Sequence, residues 1–472
     1  MSARGGAGGP WRGRRIHFVG VGGAGMSAYA RAAHALGAEV SGSDAAASPY
    51  LRRLAADGVL QAHVGHRAAN LPAGEGVELV YSSAVPAENP ERRAARERGV
   101  PERPRAELLG ELSALRRTVA VAGTHGKTTT ASMLVHALRA AGLEPGWLVG
   151  APVGGGLANA HWGEGQWLVV EADESDRSML SLSVEIAVLT NVELDHHATF
   201  ASLQQVREAF SELLARATRA IVLWDRPELL ALAPGGPPGA GAPPVAGAAA
   251  RSAPAALEVV AFDTPELASL VGGSRFSWRG HEVVLAVPGA HNALDAAAAL
   301  EAARLAGAEE AAAVAGLAGF HGAGRRFQPL GRSARGALVY EDYAHHPTEI
   351  AATLAGARTL PHERLVAVFQ PHLFSRTRLL AREFGAALAR ADAVAVLDVY
   401  PARERAQEHP GVSGLTIARA VAEAAPGRPL YWLPTFAAAE PVLAEVLAEG
   451  DLCVVMGAGD VDELARRLAV SS

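Results

Sequence analysis

An α/β chain of three domains, each built on a parallel sheet, is predicted by three observations. Short β-branched runs alternate with helical stretches along the sequence, the pattern of strands joined by crossover helices. Three blocks appear, each opening with a strand and a glycine or phosphate-type turn. At 472 residues the chain is also too long for one ordinary domain. The expected boundaries are 1–115, 116–324 and 325–472.

The first block opens with Arg15-Ile-His-Phe-Val19 and the turn Gly20-Val-Gly-Gly-Ala-Gly25. A helix is expected from Ser27 to Leu36, then a strand ending at Ser41-Gly-Ser-Asp44, and another at Glu78-Leu-Val-Tyr-Ser-Ser83. The Pro- and Arg-rich stretch from Glu97 leads to a helix over Ala106 to Leu115 that connects to the second block. That block opens with Thr118-Val-Ala-Val-Ala122, followed by strands at Trp167-Leu-Val-Val-Glu171 and Ile186-Ala-Val-Leu-Thr190 and a helix over Leu203 to Ala215. From about 231 to 257 the chain is almost pure Ala, Pro and Gly, which cannot bury enough surface to order itself and reads as a flexible insertion. A hairpin over Phe276 to Val287 and an Ala-rich helix over Asn292 to Ala306 complete the block. The third block carries strands at Ala337–Tyr340, Leu365–Phe369, Ala393–Leu397 and Leu452–Met456, with amphipathic helices between them.

Composition narrows the function classes. A net charge of -6 argues against a nucleic-acid binder held by a broad basic face. The single cysteine, Cys453, sits in an apolar strand, so neither a disulfide framework nor a Cys-based zinc site is expected. The first fifteen residues are Arg- and Gly-rich with no apolar region behind them, so no secretory signal is expected. No charge-free apolar run reaches the roughly 18 residues of a membrane span. A cytoplasmic protein without membrane or nucleic-acid partners is the expectation.

Of 43 basic residues only one is lysine, Lys127, and it stands in Gly123-Thr-His-Gly-Lys-Thr-Thr129. A compact ammonium fits between phosphate oxygens where a planar guanidinium does not. Although Val121 occupies the place of the first glycine of the usual phosphate loop, the mechanics are kept. Backbone N–H groups can cradle phosphates, Lys127 can reach the β- and γ-phosphates, and the Thr128 hydroxyl can face Mg²⁺. The alternative is a lysine left by chance. Gly20 to Gly25 fits G-x-G-x-x-G between a strand and a helix, where a pyrophosphate can approach backbone N–H groups, with Asp44 placed to meet a ribose hydroxyl; a plain tight turn is the competing reading.

Glu171-Ala-Asp-Glu-Ser-Asp176 packs four carboxylates at a strand end, suited to Mg²⁺ or, alternatively, only a solvated turn. Asn191-Val-Glu-Leu-Asp-His-His197 follows a second apolar strand and offers His196 to a metal site, or serves structure alone. In Pro288-Gly-Ala-His-Asn292, Asn292 can pair with an adenine edge or cap the helix. Phe320-His-Gly-Ala-Gly-Arg-Arg-Phe327 brings two arginines to a domain junction, where they can clamp a transferring phosphoryl group or form a linker salt bridge. Glu341-Asp-Tyr-Ala-His-His-Pro-Thr-Glu349 and Gln370-Pro-His-Leu-Phe-Ser-Arg-Thr377 bring His, Tyr, Asp and Arg to one sheet edge, suited to a small zwitterion with Arg376 on its carboxylate, unless each is only a surface loop.

Together these motifs resemble the Mur ligase family, and within it the L-alanine-adding branch, over nearly the whole chain from Arg15 to Leu468. The resemblance implies a Rossmann-like N-terminal domain, a central P-loop ATPase-type parallel-sheet domain and a C-terminal Rossmann-like domain. It implies an ATP- and Mg²⁺-dependent ligase joining L-alanine to the carboxylate of UDP-N-acetylmuramate through an acyl phosphate, in the building of cell-wall peptidoglycan. On that resemblance Gly20, Gly22, Gly23, Gly25 and Asp44 hold the UDP-sugar. Gly123, Thr124, His125, Gly126, Lys127, Thr128, Thr129, Asn292 and Asp342 bind ATP. Thr128, Glu171 and His196 hold Mg²⁺. Lys127, Glu171, His196 and Arg326 serve catalysis, and His345, His372 and Arg376 bind the amino acid. A monomer or weak homodimer is implied.

There are departures. Asp295 stands where the family usually has Asn, and Leu373 where some members have Arg. Other branches carry a carbamylated lysine at the metal site, which a chain whose one lysine lies in the phosphate loop cannot supply. Three other readings compete. A recycling ligase would add a whole tripeptide to the same sugar nucleotide. An NAD oxidoreductase would leave Lys127 and Glu171 without work. A nucleotide-binding regulator would bind ATP but release no phosphate.

Overall fold

The computed structural model describes residues 9–197, 199–236, 257–263, 266–402 and 404–469. The insertion expected at 231–257 lies largely outside the described residues. The chain forms two compact units, the first running to residue 264 and including Asp295–Leu317, the second comprising 265–294 and 318 onward.

The first unit holds two sheets. Strands β1 (Arg15–Val19), β2 (Glu39–Asp44), β3 (Gln61–Val64), β4 (Val77–Tyr81) and β5 (Glu102–Pro104) make an all-parallel sheet in the order β3-β2-β1-β4-β5. This is the doubly wound order, and the strand order reverses beside β1, where ligands bind such sheets. Its second sheet contains β6 (Arg117–Ala122), β7 (Gly146–Leu148), β8 (Ala160–His161), β9 (Trp167–Glu171), β10 (Ile186–Leu189), β11 (Ala220–Trp224) and β12 (Glu258–Phe262). Their order is β12-β11-β10-β6-β9-β7-β8, parallel except for the β7–β8 pair. The chain passes over β6 between β9 and β10, so the reversal falls at the C-terminal end of β6. These central strands are continuous apolar runs because helices cover both faces. All of β6 after Arg117 is buried.

The second unit holds a three-stranded antiparallel sheet of β13 (Ala268–Leu270), β14 (Gly273–Trp278) and β15 (His281–Leu285). Its main sheet comprises β16 (Gln328–Arg332), β17 (Leu338–Asp342), β18 (Arg364–Phe369), β19 (Ala393–Val396), β20 (Leu430–Trp432) and β21 (Asp451–Met456), in the order β16-β17-β21-β18-β19-β20 with only β16 antiparallel. Side chains of β18 alternate between two cores: Leu365, Ala367 and Phe369 pack on one face, Val366 and Val368 on the other. Cys453 belongs to the second face, and burial pushes its thiol up to about 12, so it is an inert core residue.

Candidate active site

Parallel strands in register end at one level, and each site here is built on such an edge. Val121 of β6 lies opposite Glu171 of β9, and Ala122 opposite Leu189 of β10. The residues that follow must therefore meet: Gly123–Lys127 from β6, Glu171 from β9 and Thr190–Glu193 from β10. The Thr124 hydroxyl donates to Glu193 O (3.1 Å), the Thr190 hydroxyl to His125 O (2.6 Å), and His125 N to Asn191 Oδ1 (2.9 Å), so the loop is stapled to the neighbouring strand end. Its conformation needs glycine. Gly123 and Gly126 have φ of +131° and +82°, and a Cβ on Gly126 would lie 2.4 Å from Asp295 Oδ1. Gly126 caps the helix Lys127–Ala140, whose first N–H groups and dipole face the loop.

Lys127 Nζ donates to Gly123 O (2.7 Å) and Thr124 O (3.2 Å) and lies 3.0 Å from Glu174 Oε2. Burial works against its charge, but Glu174, Asp173 and Glu171 outweigh it and raise the pKa, so the ammonium stays charged. The Thr128 hydroxyl donates to Glu171 at 3.0 Å, and Gly150 N donates to the same carboxylate at 2.7 Å. His196 sits in a left-handed backbone conformation (φ 54°), with Nε2 3.3 Å from Glu174 Oε1. Its ligand atom and those of Asp173 and Glu174 all lie within 4.8 Å of one another. Of the expected metal ligands, Thr128 and Glu171 are in direct contact, while His196 pairs with Glu174. A hydroxyl, carboxylates and one imidazole form an oxygen-rich donor set that fits Mg²⁺.

In the first sheet Gly20 and Val21 both donate to Ser43 O, and Gly22 N donates to Asp44 Oδ2 (2.8 Å). The turn thus closes on the end of β2, and a Cβ on Gly22 would lie 2.7 Å from Ser48 Oγ. Gly23 caps the helix Ala24–Ala35, which begins three residues before the expected Ser27 because the glycine turn itself supplies the first helical turn. Arg105 went unrecognised in the sequence. Its Nη1 comes within 3.1 Å of a Cβ built on Gly25, and its Nε donates to Asp176 at 2.6 Å. It ties the glycine turn to the acidic segment, a contact that nothing local in the sequence signals.

In the second unit Asn292 is buried within the helix Ala290–Leu305 and donates to Pro288 O (2.7 Å). Asp342, at the end of β17, accepts from Phe327 N and Ala344 N, both at 2.7 Å, and so braces the turn that carries Arg326. Burial pushes its carboxyl up to about 6 against the pull of Arg326 and those N–H groups. Arg326 lies 3.5 Å from Glu349 and over the Tyr343 ring. The three expected amino-acid ligands gather at this edge. The His345 and His372 rings meet at 5.8 Å, Arg376 Nη1 lies 3.2 Å from His372 Nδ1, and Tyr400 stacks on His372 at 5.9 Å. Tyr400 lies in the segment after β19, where it forms a backbone bridge to His372, and was not anticipated.

Three family models match in chain order: the Mur ligase family catalytic domain over residues 15–117, the Mur ligase middle domain over 121–303, and the Mur ligase glutamate ligase domain over 325–459. The UDP-N-acetylmuramate–L-alanine ligase of Rubrobacter xylanophilus is 42% identical over 96% of this chain and 99% of its own length. That of Mycolicibacterium vanbaalenii is 44% identical, over 96% and 95%. The crystal structure of the UDP-N-acetylmuramate–alanine ligase from Thermotoga maritima superposes with a TM-score of 0.78 at 27% identity, covering 96% of this chain and 98% of that one. With relatives this similar along almost its whole length, the chain belongs to the Mur ligase family.

Proposed function

We propose that this protein is an ATP-dependent ligase that joins L-alanine to the carboxylate of UDP-N-acetylmuramate, releasing ADP and phosphate, in the synthesis of peptidoglycan precursors. The observation that carries this reading is similarity to UDP-N-acetylmuramate–L-alanine ligases along nearly the full length of both chains. The tripeptide-recycling alternative is not favoured by those relatives.

A carboxylate is a poor acyl donor. Its oxygen therefore first attacks the γ-phosphorus of ATP, giving an acyl phosphate and ADP; the amine then attacks the acyl carbon and phosphate leaves. Gly20, Gly22, Gly23, Gly25 and Asp44 are proposed to hold the UDP-sugar on the first sheet. Gly123 to Thr129 cradle the phosphates of ATP, with Lys127 against the oxygens that gain charge. Asn292 serves the adenine. Arg326 also serves ATP, with Asp342 acting by bracing its turn. Thr128, Glu171 and His196, with Glu174 behind His196, would hold Mg²⁺, which supplies neutralisation of phosphate charge. His345, His372 and Arg376 receive L-alanine.

The domain limits 1–115, 116–324 and 325–472 are part of the proposal and sit close to the ends of the family matches. So are a cytoplasmic location and a monomer or weak homodimer. No helix among the described residues is long and apolar enough to cross a membrane.

The acyl phosphate route is tested with substrate whose carboxylate oxygens carry ¹⁸O. One labelled oxygen is expected in each phosphate released; unlabelled phosphate would overturn the route.

A further inference from the structure

His345 and His372 stand side by side, yet the groups around them fix opposite tautomers. The Nδ1 atom of His345 lies 3.0 Å from Tyr343 O and 3.2 Å from Glu349 Oε2. A carbonyl and a carboxylate can only accept, so Nδ1 carries the proton and Nε2 is the basic nitrogen of the neutral ring. The Nδ1 atom of His372 lies 3.2 Å from Arg376 Nη1. A guanidinium can only donate, so Nδ1 of His372 accepts and its Nε2 carries the proton. One ring thus presents a base and the other a donor.

Both rings are held rigidly. Glu349 accepts from His345 N (3.0 Å) and His346 N (3.3 Å) in the capping box that starts the helix Pro347–Ala357, and it faces Arg326. Tyr343 meets His345 edge-on at 5.3 Å. His372 is fixed by the Tyr400 stack and by a backbone bridge between the two residues. Glu349, Tyr343 and His372 face His345; behind them Arg326 faces Glu349, Arg376 faces His372, and the buried His291 feels both Arg326 and Glu349.

Resting on the ligase reading above, we propose that His345 takes the proton from the ammonium of the incoming amino acid through Nε2, with Glu349 as its positioning residue, while His372 and Arg376 hold the carboxylate. An amino acid arrives as a zwitterion whose ammonium has no lone pair. Transfer of one proton to His345 gives an imidazolium and a neutral amine. The amine lone pair then forms the C–N bond as the C–O bond to phosphate breaks. The second amine proton leaves with the phosphate, and the imidazolium returns its proton to solvent.

Hydroxylamine separates this step from the rest, because it is largely unprotonated at neutral pH and needs no base. Phosphate release from Mg-ATP and UDP-N-acetylmuramate is measured with L-alanine and with hydroxylamine, across pH, in the wild type and in His345→Gln, Glu349→Gln and His372→Ala. In His345→Gln the ratio of the L-alanine rate to the hydroxylamine rate is expected to fall at least about a hundredfold, the usual worth of a positioned base. Glu349→Gln is expected to move the acidic limb of kcat/KM for L-alanine to lower pH, since the carboxylate favours the imidazolium. His372→Ala is expected to raise KM for L-alanine and leave that limb in place. An unchanged ratio in His345→Gln, or equal loss with both acceptors, would overturn the proposal. Absence of phosphate release in the wild type with either acceptor would instead overturn the ligase reading.

Discussion

Lys127 is the residue on which the phosphate chemistry turns. Two loop carbonyls and Glu174 hold its amine at the mouth of the loop, a space that suits one compact charge. Arginine would keep the charge but bring a planar group with its donors spread wide. Lys127→Arg is therefore expected to cut turnover at least about tenfold, a loss of roughly 1.4 kcal/mol of transition-state stabilisation. Steady-state phosphate release measures it directly, and a near-normal rate would remove the phosphate-loop argument. The Asp295 carboxylate abuts Gly126, so it bears on the phosphate loop itself.

At the scale of elements, each site lies where parallel strands end in register, and one such end is held by a buried charge. Glu91, on the helix Pro90–Arg98, is fully buried and accepts from His17 (2.8 Å), the Ser43 hydroxyl (2.7 Å) and Asn70 (2.9 Å), which joins β1 and β2 just below the glycine turn. Burial alone would raise its pKa, but these donors outweigh burial and hold it at about 2, against 4.5 ordinarily. The stabilisation is present above pH 4.5 and is lost as pH falls towards 2. The shift corresponds to roughly 3 kcal/mol. Glu91→Gln is expected to lose about that much at pH 7, with the gap to wild type narrowing in acid. Urea unfolding across pH checks this; a gap independent of pH would contradict the network's role.

The same scale shows what a sequence can display. The long central strands were legible because burial on both faces demands unbroken apolar runs, as in β6 and β21. The short edge strands β3, β5 and β20 carry no such demand, and β5 even ends in Pro104, as only an edge permits. Glu349 was not singled out, although it stands four residues after His345, a spacing that favours contact at a helix start. Arg105 and Tyr400 reach their sites through contacts between distant segments, which no local pattern encodes.

For the whole molecule, the alternation of strands, glycine turns and helices was enough to foresee an α/β architecture of three parallel sheets. Two features were not foreseen. β16 adds an antiparallel edge to the last sheet, and the hairpin of β14 and β15 gains a third strand, β13, and groups by contacts with the second compact unit. Neither leaves a periodic trace, because short antiparallel strands alternate only over a few residues. The assignment as a ligase joins chemistry carried by both units, since phosphate loop and histidine pair lie in different ones. The measurement that tests it most directly is phosphate release from Mg-ATP with UDP-N-acetylmuramate, compared across L-alanine, glycine, L-serine and the L-Ala-γ-D-Glu-diaminopimelate tripeptide. Release that depends on L-alanine is the predicted result; release with the tripeptide alone, or with none of the acceptors, would contradict it.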